Sequence, residues 1–171
     1  EVVLANNWSI SDFQKNISKF EGIVIRSRIP LDKQNLSFAK NLKFIARPGS
    51  GLENIDLDYC ALKKIEVFRS PEGNRDALAE HVMGMILMLN KHLFRANVQV
   101  RDSIWDREVN RGTEVMGKTF AIIGYGIMGE ALARRLSGFG VKVIAYDKYK
   151  NNFSSSIVKQ VELDEVFKTA D

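Results

Sequence analysis

Thr119-Phe120-Ala121-Ile122-Ile123-Gly124-Tyr125-Gly126-Ile127-Met128-Gly129 is the stretch on which the fold turns. Its first five residues are mostly apolar and β-branched and read as a buried strand. The last six have the spacing G-x-G-x-x-G and open a predicted helix over 127–137, with Leu132, Ala133 and Leu136 on one face. Three glycines so spaced mean little alone, but strand before and helix after supply the context of a dinucleotide-binding turn. Each glycine has a mechanical reason. Gly124 permits the tight turn, Gly126 lets backbone N–H groups approach a pyrophosphate at the positive end of the helix, and Gly129 lets helix and strand pack closely. A second predicted strand, 141–145, runs into Tyr146-Asp147. The acid follows the first glycine by about 20 residues, the place of a ribose-binding carboxylate. A carboxylate there accepts ribose hydroxyls and repels a 2′-phosphate, so the expected cofactor is NAD rather than NADP. Lys148 and Lys150 would soften that repulsion, yet both can turn into water.

Working outward toward the amino terminus, short β-branched runs alternate with amphipathic ones. Strands are predicted over 22–26, 43–47 and 65–68, each closed by a polar or Gly/Pro turn. Ser9 and Asp12 can cap a helix through Phe13 and Ile17, and Asp56 can start another carrying Leu57, Cys60 and Ala61. Strand–helix–strand at this pitch implies right-handed crossovers and parallel sheets. The expected class is therefore α/β. Two parallel-sheet domains are predicted, a flavodoxin-like one over 1–72 and an incomplete Rossmann one over 73–171, with Pro71 and Gly73 in the hinge. An apolar helix over 77–89 follows, expected to be covered on most sides as a domain or subunit contact, with Met83, Met85 and Met88 filling core. The polar stretch 101–117 has Trp105 as its predicted anchor.

Composition bounds the rest. With 45% apolar and 27% charged residues, the 171-residue chain is neither disordered nor a disulfide scaffold. Its longest apolar run, 82–89, falls far short of the about 20 residues of a membrane helix. A single cysteine, Cys60, fits a reducing, cytoplasmic setting. The net charge of +4 is scattered, which argues against nucleic acid as a partner. Both ends read as cut: Glu1-Val2-Val3-Leu4 begins inside an apolar run, and the predicted helix before Asp171 has no strand after it. No Cys, His or carboxylate cluster has metal-ligand spacing. Glu80-His81 is no catalytic pair, since helix neighbours point about 100° apart. His81 reads as a packed helix histidine and His92 as an exposed one.

Several ordered blocks resemble the D-isomer-specific 2-hydroxyacid dehydrogenases: Arg47-Pro48-Gly49-Ser50-Gly51-Leu52-Glu53-Asn54-Ile55-Asp56, Ser70-Pro71-Glu72-Gly73-Asn74, Ala79-Glu80-His81, and Gly112 to Thr119. The resemblance implies a substrate domain, then an NAD domain, with the active site in the cleft between them. It implies that the backbone amides of Ser50 and Gly51 hold a substrate carboxylate, that Ser50 also lies near the nicotinamide, and that Asn74 faces the reacting carbonyl. Ile127 and Met128 would touch the pyrophosphate through their backbone. The family often has Arg or His where Ile127 stands, so one side-chain contact to phosphate is lost. The family's Arg, Glu and His that perform the chemistry would lie beyond Asp171, leaving no catalytic residue here. Arg26-Ser27-Arg28 looks like a phosphate-binding segment within the family. From the residues themselves, Arg26 and Arg28 follow the carboxyl end of a predicted strand at alternate positions, where two guanidiniums can grip an anion. The implied reaction is hydride transfer between NAD and a D-2-hydroxyacid, with 3-phosphoglycerate, at the head of serine biosynthesis, as first candidate. Glyoxylate or hydroxypyruvate reduction is the alternative, and an NAD-sensing interaction module without catalysis a third. A homodimer or homotetramer is implied too.

Overall fold

A computed structural model describes residues 2–171, and Glu1 lies outside them. The chain divides into two compact units, Glu1–Asn74 and Arg75–Asp171, each with its own parallel sheet.

In the first unit, helix α1 (Ile10–Asn16) starts at a reciprocal cap: Ser9 Oγ accepts the Asp12 N–H at 3.1 Å, and Asp12 accepts the Ser9 N–H at 3.0 Å. Strand β1 (Gly22–Val24) is followed by α2 (Lys33–Leu36), β2 (Phe44–Arg47), α3 (Leu57–Lys63) and β3 (Glu66–Arg69). The strands are all parallel in the order β1-β2-β3, with Val24 beside Ala46 and Arg47 beside Arg69. The Phe44 ring lies on Gly22, 2.2 Å from where a Cβ would stand, so a side chain there would displace that ring. Ile45 on the central strand is fully buried among Phe13, Ile17, Leu31, Leu36 and Cys60. Trp8 packs against the edge of this core, 6.0 Å from Phe20 between ring centres. Strand β1 ends before Arg26, so strand alternation does not reach Arg26 or Arg28. On α3 only Cys60 is buried, while Leu57 and Ala61 face outward.

The second unit opens with α4 (Arg75–Asn90) and α5 (Leu93–Arg101), broken apart at His92, whose φ of 52° is left-handed. Strand β4 (Thr119–Ile123), α6 (Ile127–Leu136), β5 (Lys142–Tyr146), β6 (Lys159–Gln160) and α7 (Leu163–Thr169) complete it. Its strands are parallel in the order β4-β5-β6, with Ile123 beside Tyr146. Alternating strand residues Ile122, Val143 and Ala145 bury against Ala133 and Leu136 of α6, with Met83 of α4 in the same cluster. Arg135 on α6 reaches Asp76 at 2.9 Å and Glu80 at 3.5 Å on α4, surface pairs that add little energy.

The apolar helix is less covered within its unit than its composition predicts. Only Ala79 and Met83 are buried on α4, so the core-filling role holds for Met83 and fails for Met85 and Met88, 57% and 48% exposed. Trp105 anchors nothing among the described residues and is 83% exposed. The histidines come out reversed: His81 is exposed and His92 half-buried at the helix break. No helix of the structure is long and apolar enough to cross a membrane.

Candidate functional site

Strands β4 and β5 run side by side to their carboxyl ends, so the loop after β4 and the turn after β5 meet there. The Gly124 N–H extends the pairing by one bond to the Tyr146 carbonyl, at 2.8 Å. Gly124 then turns with φ +98°, a left-handed conformation that disfavours any side chain. Gly126 is the N-cap of α6, and no side chain caps that end. The first helix N–H groups therefore carry the positive end of the dipole with no capping side chain among the described residues. A Cβ on Gly126 would meet nothing within 4 Å, so the loop is open on that side. A Cβ on Gly129 would stand 2.2 Å from the Gly124 carbonyl oxygen, which is why the helix can lie so close to the loop. Ile127 and Met128 are half-buried in the first turn and offer backbone, not charge.

Asp147, just past β5, is knotted into this loop. Its Oδ2 accepts the Tyr125 N–H at 2.7 Å, and its Oδ1 accepts the N–H groups of Tyr149 at 2.8 Å and Lys150 at 2.9 Å. These three backbone donors hold the carboxyl below its ordinary range, the Tyr149 and Lys150 bonds first. An acceptor charged at neutral pH is thus fixed beside an open, uncapped helix terminus. An open glycine face, free amide donors and a carboxylate acceptor fit an adenosine diphosphate moiety. Lys148 lies over the Tyr149 ring, 5.4 Å from its centre, and Lys150 over Tyr125 at 5.2 Å. Neither lysine forms an ion pair with Asp147 among the described residues.

The first unit gathers its own polar set at the carboxyl ends of β2 and β3. Ser50 Oγ donates to Asn74 Oδ1 at 2.9 Å, the Ser70 N–H donates to the Gly49 carbonyl at 3.0 Å, and Arg69 reaches the Ser50 carbonyl at 3.4 Å. Residues 49, 50 and 74 are therefore brought together. Arg69 has no sequence signal of its own, because its role depends on the parallel register with β2. Glu53 lays its carboxylate over Gly51, 2.2 Å from where a Cβ would stand, so a flexible negative group shares the loop. Arg47 Nε and Asn54 Oδ1 are buried without hydrogen-bond partners. Asn54 Nδ2 holds the Arg26 carbonyl at 3.0 Å, which ties the Arg26 loop to this one. Arg28 donates to the Ala5 carbonyl at 2.6 Å, whereas the Arg26 guanidinium makes no hydrogen bond among the described residues. Two open concavities of about 480 and 430 Å³ lie around Asn152–Glu165 and Ser137–Lys159 and contain none of these residues.

Residues 83–171 match the family model described as D-isomer specific 2-hydroxyacid dehydrogenase, NAD binding domain. The chain belongs to this family. Its NAD binding domain carries the fingerprint loop, and the fold is of the Rossmann type seen in its structural neighbours. Among relatives, the hydroxypyruvate reductase of Thermotoga maritima is 36% identical over 160 residues, covering 94% of this chain and 52% of that protein. The D-3-phosphoglycerate dehydrogenase of Sus scrofa is 34% identical over 173 residues, covering 100% and 32%. Among solved structures, the D-lactate dehydrogenase of Aquifex aeolicus complexed with NAD and lactic acid superimposes with a TM-score of 0.82 at 32% identity, covering 92% of this chain and 48% of that one. The chain thus spans about half of the first of these relatives and about a third of the second.

Proposed function

We propose that the chain serves an NAD-dependent D-2-hydroxyacid dehydrogenase, with residues 73–171 seating the dinucleotide and residues 1–72, together with Asn74, the substrate. The observation that carries this reading is the uncapped start of α6 beside a charged Asp147. In it, Gly124, Gly126, Ile127, Met128 and Gly129 present backbone to the pyrophosphate, and Asp147 takes the adenosine ribose. When bound, NAD supplies the acceptor for a hydride. The protein's own residues orient and neutralise. The amides of Ser50 and Gly51 hold the substrate carboxylate, Asn74 orients its reacting end, and Ser50 also lies near the nicotinamide. Asn74 already fixes the Ser50 hydroxyl.

The substrate we favour is 3-phosphoglycerate, with Arg26 and Arg28 gripping its phosphate. Among the described residues the Arg26 guanidinium makes no hydrogen bond, and Arg28 spends one of its five N–H donors on Ala5. The second reading, a hydroxypyruvate reductase, is favoured by the Thermotoga maritima relative. Replacing both arginines by Gln in the intact enzyme separates the two. On the first reading KM for 3-phosphoglycerate rises at least about tenfold, the cost of a lost charge-assisted pair, while unphosphorylated 2-oxoacids are unaffected. Equal kinetics on both classes would overturn the phosphate assignment.

A further inference from the structure

Tyr125, inside the glycine fingerprint, is held at both of its backbone polar groups by one short turn. Its N–H goes to Asp147 Oδ2 at 2.7 Å, and its carbonyl accepts from Lys150 Nζ at 3.4 Å. The Lys150 N–H returns to Asp147 Oδ1 at 2.9 Å, which closes a ring of three bonds through one carboxylate and one ammonium. The ammonium also lies beside two rings, 5.2 Å from the centre of Tyr125 and 5.9 Å from that of Phe153. Those rings are stacked at 4.5 Å with an interplanar angle of 20°, and both residues are buried in the core of their unit. Lys150 is thus an exposed residue whose head sits at the flank of a buried aromatic pair, within reach of one particular carbonyl.

That carbonyl belongs to the Tyr125–Gly126 peptide. In a planar trans peptide the carbonyl and the following N–H point in opposite directions. Fastening the Tyr125 oxygen therefore turns the Gly126 N–H away from Lys150, at the residue that caps α6. We infer that Lys150 is a positioning residue for the cofactor's diphosphate: it aims the Gly126 amide at that group by holding the carbonyl on the other side of the same peptide. The inference rests on the reading that residues 124–129 seat the pyrophosphate. It assigns Lys150 a task different from contact with a 2′-phosphate.

The test is calorimetric titration of the intact protein with adenosine, ADP and adenosine 2′,5′-bisphosphate, for wild type, Lys150→Met and Lys150→Arg. In Lys150→Met the Kd for ADP rises about five- to tenfold, the scale of one hydrogen bond with its cation–π support, while that for adenosine stays put. Lys150→Arg recovers most of the loss, because a guanidinium also donates and stacks. In the ligand-free protein the Gly126 amide resonance shifts in Lys150→Met and returns in Lys150→Arg. An unmoved Gly126 resonance would mean attraction through solvent and would overturn the inference. Equal weakening of ADP and adenosine, a loss confined to the bisphosphate, or no loss at all would each overturn it as well. Wild type binding ADP no better than adenosine is a different failure, that of the pyrophosphate reading itself. Should Lys150→Met not fold, Lys150→Ala is titrated in its place, with the same outcomes.

Discussion

At the residue scale, two glycines of one fingerprint are expected to fail in opposite ways. Gly129→Ala drives a Cβ into the Gly124 carbonyl, so it should destabilise the domain by about 1–3 kcal/mol, the usual cost of overpacking, as a lowered thermal midpoint. Gly126 is extended, with φ −82° and ψ −160°, and its Cβ would meet open space. Gly126→Ala should keep the thermal midpoint and lose ADP binding; a variant that melts early but binds normally would contradict the assignment. Asp147→Ser should weaken NAD binding about tenfold and narrow the preference over NADP, read by titration with both. The Asp147 carboxyl is depressed, so what its bonds add to stability is complete above the ordinary aspartate range. It is lost only as the pH falls through the lowered value, well below neutrality. Binding that changed steeply between pH 6 and 8 would therefore have another cause. The spacing of Gly124, Gly126, Gly129 and Asp147 was legible because each residue type answers a local backbone demand. Lys150 was legible only as a charge near Asp147, since its reach to Tyr125 depends on the turn at 147–150. His81 was misjudged because helix neighbours do not say which side of α4 is covered, and His92 because the break that half-buries it leaves no periodic pattern.

At the element scale, strands were readable to within a residue or two at each end, because each is a short run rich in β-branched and aromatic residues closed by a polar or Gly/Pro turn. Strand β6 has two residues and no pattern to read. The split of α4 from α5 is set by the left-handed backbone of His92, a conformation that no residue type here announces. What the pair of helices leaves uncovered is substantial: Leu89 is 76% exposed and Phe94 70%, with Met85, Met88 and Leu93 about half exposed. Apolar area of this extent on neighbouring elements marks a contact surface, and a second copy of the chain is the occupant we propose. Leu89→Glu with Phe94→Glu should leave the circular dichroism spectrum unchanged and turn a sedimenting dimer into a monomer at micromolar concentration. A wild type that is already monomeric there would refute the dimer.

On the scale of the whole molecule, two units with separate cores predict separable behaviour. The two tryptophans fall one to each unit, Trp8 tucked against the first core and Trp105 out in solvent. The protein thereby carries two intrinsic fluorophores of unlike colour, a blue-shifted emitter for the first unit and a red-shifted, acrylamide-quenchable one for the second. Unfolding of either half, or the covering of the second unit's arm by a partner, can then be followed by wavelength alone, without a label.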